Sequence, residues 1–245
     1  MSPLPVYVAS DVHLGAVPRE QEQSFVRWLE HAAERASQIV LNGDLFDFWF
    51  EYGSVIPRGH TRVLGALARV ADSGLPVRFV GGNHDWWGDS YLEQEIGLTL
   101  QRDPEVLELA GRRTLLAHGD GLGRGDLGYR ALRMVLRGRA TRWAFRWLHP
   151  DLGARVAGRV SITEERAGVA SDDEKRRAAV LEAWALEKLS ADASLELVLL
   201  GHTHIPRLVE AEAGRFYVNA GDWVNHRSYV VLAWGEPPRL REWER

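Results

Sequence analysis

The sequence of 245 residues contains no cysteine, which excludes disulfide bonds and metal sites built on thiolates. It also has no run of about 18 apolar residues, so no membrane-spanning helix is expected. The N-terminal segment lacks a basic region followed by an apolar run, which argues against a signal peptide. We therefore expect a cytoplasmic protein, at most peripheral on the inner face of the cell membrane, whose metals bind to His, Asp, Glu or Asn.

An excess of positive charge is also absent, because the formal net charge is -4. A chain with this balance has no overall attraction to nucleic acid, so no nucleic-acid partner is predicted. Charged residues make up 26% and hydrophobic residues 45% of the chain, which is ordinary for a globular protein. The length suits one domain spanning residues 1–245. No feature of the sequence indicates an oligomeric state.

Short apolar runs rich in β-branched residues alternate with helical patterns over the first 200 residues. The predicted strands are 6–9, 38–41, 77–80, 114–117 and 195–200. The predicted helices are 21–36, 60–73 and 172–190, the last with Asp172 as candidate N-cap. Short antiparallel strands are predicted at 207–210, 216–218 and 229–234. This order predicts an α/β fold with parallel or mixed sheets and helices on their faces.

A polar cluster follows each of the first five predicted strands. In chain order the clusters contain Asp11 and His13; Asp44 and Asp47; Asn83, His84 and Asp85; His118 and Asp120; and His202 and His204. Ligands gather at the carboxyl ends of strands in open α/β sheets, so these side chains are expected to converge. These side chains are more numerous than the about four ligands of one zinc ion. Two divalent ions about 3.5–4 Å apart account for their number. Without thiolate the set suits Mn²⁺, with Fe²⁺ or Zn²⁺ as alternatives.

Each of these residues also has a structural explanation when it is taken alone. Asp11 after a strand is typical of a turn or cap, and Asn83 beside two glycines is typical of a turn. A single His118 would suit a hydrogen-bonded core position. The presence of a ligand type at every strand end favours the metal site. The nearby aromatic residues are predicted to pack in the core and at its rim: Phe46, Phe48, Trp49, Phe50, Trp86 and Trp87.

The five clusters read D-x-H, G-D-x-x-D, G-N-H-D, H and G-H-x-H in that order, and this series resembles the calcineurin-like metallophosphoesterases. The resemblance implies a layered α-β-β-α sandwich of mixed sheets. The implied ligands are Asp11, His13 and His204 for one ion and Asn83, His118 and His202 for the other, with Asp44 bridging both. It also implies three catalytic or supporting residues: His84 at the substrate phosphate, and Asp47 and Asp85 as carboxylates that orient imidazoles.

Two divalent ions lower the pKa of a bound water toward about 7 and stabilise charge on phosphoryl oxygens. The implied activity is hydrolysis of a phosphoester or phosphoanhydride without a covalent enzyme intermediate. In this scheme His84 is a candidate general acid for the leaving oxygen.

The segment after His118 is longer than a crossover requires, and it is strongly basic. Residues 124–159 contain nine arginines and two acids. On a helical wheel, Leu132, Val135 and Leu136 share one face, and Arg130, Arg133 and Arg137 lie opposite. Trp143 and Trp147 pair at i, i+4. We predict that residues 124–160 form a basic helical cap for a membrane surface or an acidic amphiphile, although arginine-rich faces are often only solvated.

Two segments are similar to the UDP-2,3-diacylglucosamine diphosphatase branch of this superfamily: H-G-D-x-L-x-x-x-D-x-x-Y-x-x-x-R from His118 to Arg133, and Y-V-N-A-G-D-W-V from Tyr217 to Val224. The resemblance implies hydrolysis of an amphiphilic nucleotide-lipid, UDP-2,3-diacylglucosamine, to UMP and lipid X in lipid A biosynthesis, with the acyl chains under the cap. The implied substrate contacts are Asn83, His84, Asp126, Tyr129 and Arg133. The best-known members of this branch have arginine in place of His84, where the wider superfamily has histidine.

Two other functions stay open. One is a phosphoesterase of the same fold that acts on a nucleotide, another phosphodiester or another lipid pyrophosphate. The other is a non-catalytic scaffold. Scaffolds of that kind typically lose metal ligands, whereas every expected ligand is present in this chain.

Overall fold

The computed structural model describes residues 3–125, 127–153, 155 and 171–243. The strands are β1 Val6–Ala9, β2 Gln38–Asn42, β3 Val77–Val80, β4 Thr99–Gln101, β5 Glu105–Leu109, β6 Arg112–Leu116, β7 Leu197–Leu200, β8 Arg207–Glu212, β9 Arg215–Asn219, β10 Ser228–Leu232 and β11 Arg239–Glu242. The helices are α1 Arg19–Ala33, α2 Thr61–Asp72, α3 Leu127–Leu136, α4 Arg139–Arg146 and α5 Asp172–Ala191, and a π-helical turn spans Tyr91–Glu95.

The strands form two mixed sheets. The first has the order β11-β10-β1-β2-β3-β4, in which β1 to β4 are parallel and β10 and β11 are antiparallel. The second has the order β5-β6-β7-β9-β8, in which β6, β7 and β9 are parallel. The parallel strands are the apolar ones, because both of their faces are covered.

Successive side chains of β1 face opposite layers of the fold, and their contacts show how the layers are arranged. Val8 belongs to an apolar cluster that includes Leu199 of β7 and Val218 of β9, so this face of the strand packs on the second sheet. Ala9 belongs to a cluster with Trp28 of α1 and residues of α2. On the far side, α5 covers the second sheet with residues such as Leu181 and Leu189. The predicted α-β-β-α sandwich is therefore confirmed.

The predicted helices and strands all exist, with ends shifted by a few residues, but three strands were not anticipated. These are β4, β5 and β11, which are short edge or next-to-edge segments, and β5 and β11 alternate charged with apolar residues. The expected N-cap of α5 is also one residue off. Ser171 is the N-cap and forms a capping box with Glu174, whereas Asp172 is the first helical residue.

The predicted cap is described at residues 124–125, 127–153 and 155, where α3 and α4 lie between β6 and α5 in the chain. Three contacts attach it to the sandwich. Trp87 donates a hydrogen bond to the carbonyl of Leu136 at 3.1 Å, and Arg142 pairs with Asp89 at 2.6 Å. The ring of Phe145 packs on Phe50 and Trp87, with ring centroids 4.7 and 5.0 Å apart. Among the described helices, none has the length and apolar character needed to cross a bilayer.

The cap turns its basic side inward. Arg133 of α3 and Arg137, the residue after α3, are partly buried and pair with the buried carboxylate of Asp120. The opposite side of the cap is apolar and exposed, with Val135 at 61% and Trp147 at 77% of full exposure. A helical wheel gives two faces for such a helix, and here the charged face is the one that contacts the protein.

Candidate dinuclear metal centre

The side chains expected to bind metal follow the carboxyl ends of five parallel strands, β1, β2, β3, β6 and β7. Five of them have a left-handed backbone, with φ values of 53° at Asp11, 51° at His13, 51° at Asp44, 69° at His202 and 59° at His204. Non-glycine residues seldom adopt this conformation, and it is concentrated at functional sites. The sharp turns aim these side chains into one crevice at the end of the sandwich.

The first group of side chains consists of Asp11, His13 and His204. One ligand atom from each lies within 4.8 Å of the others. Nε2 of His204 is 3.2 Å from Nε2 of His13 and 3.3 Å from Oδ1 of Asp11. Two imidazole nitrogens and a carboxylate oxygen that face each other at these distances are arranged to share a cation.

The second group consists of Asp44, His118 and His202, whose ligand atoms also lie within 4.8 Å of one another. Nδ1 of His118 donates to the carbonyl of Asn42 at 2.8 Å, which leaves Nε2 facing Oδ2 of Asp44 at 3.2 Å. The same Oδ2 is 3.9 Å from Nε2 of His13. Asp44 therefore lies between the two groups, where a bridging carboxylate is needed.

Buried polar atoms test whether these residues fit metal ions. The buried polar atoms that have no hydrogen-bond partner among the described residues include five at expected ligands: Oδ1 of Asp11, Oδ2 of Asp44, Oδ1 of Asn83, Nε2 of His118 and Nδ1 of His202. Buried polar groups without partners are costly and rare in native proteins. Carboxylate, amide and imidazole donors without thiolate fit divalent ions such as Mn²⁺, Fe²⁺ or Zn²⁺.

The histidines of the centre have shifted pKa values. Burial disfavours the charged imidazole of His118, but Asp44 and Asp11 outweigh burial and raise its pKa to about 10. Burial is likewise outweighed at His204, where hydrogen bonds to Asp11 and Asp222 raise the pKa to about 9. At His202, burial and the nearby His118 lower the pKa to about 4. The cluster has enough negative charge to hold cations, either as protons or as metal ions.

The two expected supporting carboxylates have different roles. Oδ1 of Asp47 lies 3.4 Å from Nδ1 of His13, and its carbonyl oxygen accepts a hydrogen bond from Nδ1 of His84 at 2.8 Å, so Asp47 orients two imidazoles. Asp85 contacts backbone amides instead. Its carboxylate accepts from the backbone N–H groups of Gly82 at 2.9 Å, Asp44 at 3.3 Å and Phe46 at 3.1 Å.

Asp85 therefore fastens the loops after β2 and β3 to each other. The reason is local geometry, since Gly82 lies three residues before Asp85 in the same turn and presents its N–H to the carboxylate. Burial and the charge of Asp44 raise the pKa of Asp85 to about 7.

A further carboxylate of the site, Asp222, was not singled out from the sequence. It is fully buried, and its Oδ2 lies 3.2 Å from Nδ1 of His204. Its Oδ1 accepts from the backbone N–H groups of Asn225 and His226 and lies 3.1 Å from Nδ1 of His226. Asp222 follows Gly221 after the apolar strand β9, so it repeats the pattern of glycine and ligand after a strand.

Glycines before the ligands are required by close packing. A Cβ atom at Gly43 would lie 2.2 Å from Nδ1 of His118, and one at Gly201 would lie 2.6 Å from Oδ2 of Asp11. Gly43 also has a φ of 86°, whereas Gly201 does not have a positive φ. The turns before Asp44 and His202 thus need left-handed backbone at Gly43 and the lack of a side chain at both Gly43 and Gly201.

The expected substrate contacts are placed around this centre. His84 lies beside the first group, with its ring 4.8 Å from that of His13, and its side chain is 10% exposed. The ring of Tyr129 lies 6.4 Å from that of His202. Arg133 is paired with Oδ2 of Asp120 at 2.8 Å. Asp126 lies outside the described residues.

The six aromatic residues near the site lie where packing predicts. Phe46 and Trp49 are fully buried and Phe50 is nearly so. Their neighbour Trp87 belongs to the cluster around Phe145 that attaches the cap. Trp86 stacks beneath the guanidinium of Arg137 at 4.9 Å.

Comparison with known proteins agrees with this geometry. The chain is 31% identical to a UDP-2,3-diacylglucosamine hydrolase of Porphyromonas gingivalis over 92% of this chain and 93% of that protein. It is 32% identical to a protein of the same name from Escherichia coli, over 91% of this chain and 92% of that protein. A protein of that name from Aeromonas hydrophila is 30% identical over 93% and 94%. The family model for calcineurin-like phosphoesterases matches residues 4–206, which include all five clusters, and the chain belongs to that family.

Proposed function

We propose that this protein hydrolyses the pyrophosphate of UDP-2,3-diacylglucosamine to UMP and 2,3-diacylglucosamine 1-phosphate, a step of lipid A biosynthesis. The observation that carries the proposal is the convergence of two ligand groups around Asp44 at the strand ends. The names of relatives that are 30–32% identical over more than nine-tenths of the chain support the substrate. Two Mn²⁺ ions are the proposed cofactors.

The proposed ligands are Asp11, His13 and His204 for one ion, Asn83, His118 and His202 for the other, and Asp44 for both. When bound, the ions supply an activated water and positive charge at the phosphoryl oxygens. His84 has Nδ1 on the Asp47 carbonyl, which only accepts hydrogen bonds, so Nδ1 carries a proton. Delivery of a proton to the leaving oxygen then falls to Nε2, and it requires the imidazolium form of His84, with a proton on both ring nitrogens.

The features of the cap favour a lipid substrate. Residues 124–160 are proposed to cover the site as part of one domain, with Tyr129 and Arg133, and also Asp126, as substrate contacts. Exposed apolar side chains on its outer side are suited to the surface of a membrane: Leu132, Val135, Trp143 and Trp147. We infer that the protein works in the cytoplasm at the inner membrane surface, where this amphiphile would be presented.

The substrate is tested by comparing kcat/KM for UDP-2,3-diacylglucosamine and UDP-N-acetylglucosamine, which share the pyrophosphate. Each buried methylene contributes about 0.8 kcal/mol, so even three of them favour the acylated substrate by roughly 50-fold. The variants Arg133→Gln and Arg137→Gln should each lower turnover of the lipid substrate more than turnover of bis-p-nitrophenyl phosphate, because hydrolysis of the small diester depends mainly on the metals. A kcat/KM ratio near one would contradict the lipid substrate.

Removal and return of metal test the cofactor. Protein stripped by chelator should lose hydrolysis of bis-p-nitrophenyl phosphate and regain it best with Mn²⁺, compared with Fe²⁺ and Zn²⁺ at equal free concentration. Bound metal should approach two ions per chain. Full activity after complete removal of metal would overturn the mechanism.

Vesicle flotation tests the membrane contact. Replacing both Val135 and Trp147 by serine should reduce binding to phosphatidylglycerol vesicles, because both side chains are exposed on the cap. Val106→Ser is a matched control, since Val106 is 43% exposed on β5, away from the cap. Equal binding by all three proteins would rule out the cap as the membrane contact.

A second candidate function is hydrolysis of another phosphodiester or nucleotide. It is favoured by His84, the residue expected of the wider superfamily at a position where the best-known lipid enzymes have arginine. Activity on nucleotide diesters that exceeds activity on the acylated sugar nucleotide would select this function.

A further inference from the structure

A cleft of about 730 Å³ opens between the cap, α5 and the loop that follows His118. This volume falls within the about 300–1,000 Å³ of typical small-molecule sites. The cleft begins close to the metal centre. Gly121, on its wall, comes three residues after His118, and Arg137, also on its wall, donates to the carbonyl of Gly82, the residue before Asn83.

The wall formed by α3 carries an excess of positive charge. Arg130, Arg133 and Arg137 all line the cleft. Arg133 and Arg137 share one oxygen of Asp120, each at 2.8 Å, so a single carboxylate faces two guanidinium groups. Arg130 donates to the carbonyl of Gly123 and has no carboxylate partner among the described residues. Asp103 also lines the cleft, and the arginines still outnumber the two acids. Such a wall favours an anionic ligand.

The other walls provide two flat aromatic side chains and a loop that contains glycine. The half-buried indole of Trp86 lines the cleft from the loop after β3, and the half-buried indole of Trp184 lines it from α5. The loop between them contributes Gly121 and Gly123, both with positive φ of 70° and 80°. Leu122 lies between these glycines and also lines the cleft, and indole faces stack on nucleobases.

A different surface lies on the other side of the cap. Phe145 of α4 packs with Phe48, Phe50 and Trp87, and this cluster is aromatic and carries no charge. The cap thus has an apolar attachment near the loops after β2 and β3, and a basic cleft near the loop after β6. A substrate with an apolar half and an anionic, aromatic half would be oriented by this difference.

We propose that the cleft between α3, α5 and the 121–123 loop is the site for the nucleoside monophosphate half of the substrate. The base stacks on the indole of Trp184 or Trp86, and Arg130 faces the phosphate. This inference rests on the proposed function, and it adds which surface recognises the nucleotide and which residues determine that specificity. The leaving lipid phosphate then lies toward the aromatic side of the cap.

The test is calorimetric titration of the Mn²⁺-loaded protein with UMP, glucose 1-phosphate and inorganic phosphate. UMP should bind more tightly than either of the other two ligands. Arg130→Gln and Trp184→Leu should each weaken UMP binding by about tenfold, through loss of a charged hydrogen bond or of stacking. Both variants should change the affinity for inorganic phosphate much less. Arg146→Gln is the matched control, because Arg146 is exposed on α4 and does not line the cleft.

Three results would overturn the assignment. The first is UMP binding no tighter than inorganic phosphate. The second is UMP affinity that is unchanged in Arg130→Gln, which tests the cleft even if Trp184→Leu fails to fold. The third is equal weakening of glucose 1-phosphate, which would make the cleft a site for the lipid phosphate. Failure of the proposed function is a separate result, since it would appear as absent hydrolysis of UDP-2,3-diacylglucosamine, whatever the variants do to UMP affinity.

Discussion

The metal centre and the cap are built on different physical principles. The metal centre consists of side chains at the ends of parallel strands, and its ligand atoms are held by neighbours such as the Asn42 carbonyl on His118. The cap is attached by side-chain contacts, including a partly exposed ion pair between Arg142 and Asp89. A site fixed by the sheets can hold ions with little adjustment, whereas a cap attached by side chains can adapt to a large substrate.

The two regions also place polarity in opposite ways. In the sandwich, apolar residues face inward, and the buried polar groups are concentrated at the metal centre. In the cap, Arg133 and Arg137 face inward while Val135 and Trp147 face outward. The cap is therefore suited to contact an anionic ligand on one side and an apolar surface on the other. Substitutions in the two regions should have effects of different kind and size.

The largest effect is expected at Asp44. Replacing Asp44 by alanine removes the carboxylate that lies 3.2 Å from His118 and 3.9 Å from His13, so the loss of turnover should exceed the about 10²–10⁴-fold typical of a general acid. Metal content measured by mass spectrometry should fall with turnover. Asp44→Asn, which keeps the shape, separates loss of charge from backbone strain. Two ions per chain in both variants would show that Asp44 is not the bridge.

His84→Ala should give the next largest effect on turnover. It removes the proposed proton donor but leaves the proposed ligands in place, so kcat should fall by about 10²–10⁴-fold with metal content unchanged. Steady-state kinetics and metal analysis check the two expectations. Loss of metal together with activity would make His84 a ligand, consistent with its place near His13 and Asp44.

The dependence of metal binding on pH follows from His118 and His204, whose pKa values are raised to about 10 and about 9. Both imidazoles are protonated at pH 7 in protein stripped of metal, and both must lose a proton to bind an ion. Binding should therefore release about two protons per chain, and apparent affinity should rise with pH until about pH 10, the higher of the two pKa values. Titration in buffers of different ionisation enthalpy measures this release. No release at pH 7 would contradict the assignment of these two ligands.

Asp222→Asn should weaken metal binding without abolishing it. The change removes the negative charge beside Nδ1 of His204 but keeps an oxygen for the N–H groups of Asn225 and His226. Carboxylates that support a metal-binding histidine typically contribute about 10–100-fold to affinity. Equilibrium dialysis with Mn²⁺ measures the change, and Asp192→Asn at an exposed position is the control. Unchanged affinity would limit Asp222 to a structural role in its turn.

The smallest effect is expected at the edge of the cap. Arg142→Gln breaks a partly exposed ion pair with Asp89, and such pairs contribute at most about 1 kcal/mol, so chymotrypsin cleavage within the cap should rise less than about fivefold. Arg139→Gln, at an exposed residue of the same helix, is the matched control. A rise in the cleavage rate as large as the about 10–100-fold loss of metal affinity expected for Asp222→Asn would contradict this estimate. It would mean that the ion pair holds the cap more rigidly than its partial exposure indicates.

Residue patterns predicted the metal centre better than the cap because the two depend on different information. Asp11, His118 and His202 directly follow short buried strands, and the place where such strands end can be inferred from local apolar runs. Asp222 follows the same pattern after β9, yet β9 was treated only as part of an antiparallel region, so its end was not examined as a ligand position.

The remaining failures have tertiary causes. β5 and β11 lack a buried run, and their pairing partners decide that they are strands. The wheel of α3 gives a basic and an apolar face, but only Asp120, which comes from another segment, determines that the basic face turns inward. Asp85 was expected to orient imidazoles, whereas its partners are the backbone amides of Gly82 in its own turn and of Asp44 and Phe46 in the loop after β2.

The left-handed backbone at five proposed ligands has a consequence for how this sequence can drift. Each such residue costs about 1 kcal/mol or more, so replacing it by glycine would relieve strain in the folded chain. In a lineage that no longer used the ions, neutral drift would therefore accumulate glycine at these positions. The chain still has Asp11, His13, Asp44, His202 and His204 in their strained conformations. Only continued selection for metal chemistry would keep such a set, which argues against a history as a scaffold.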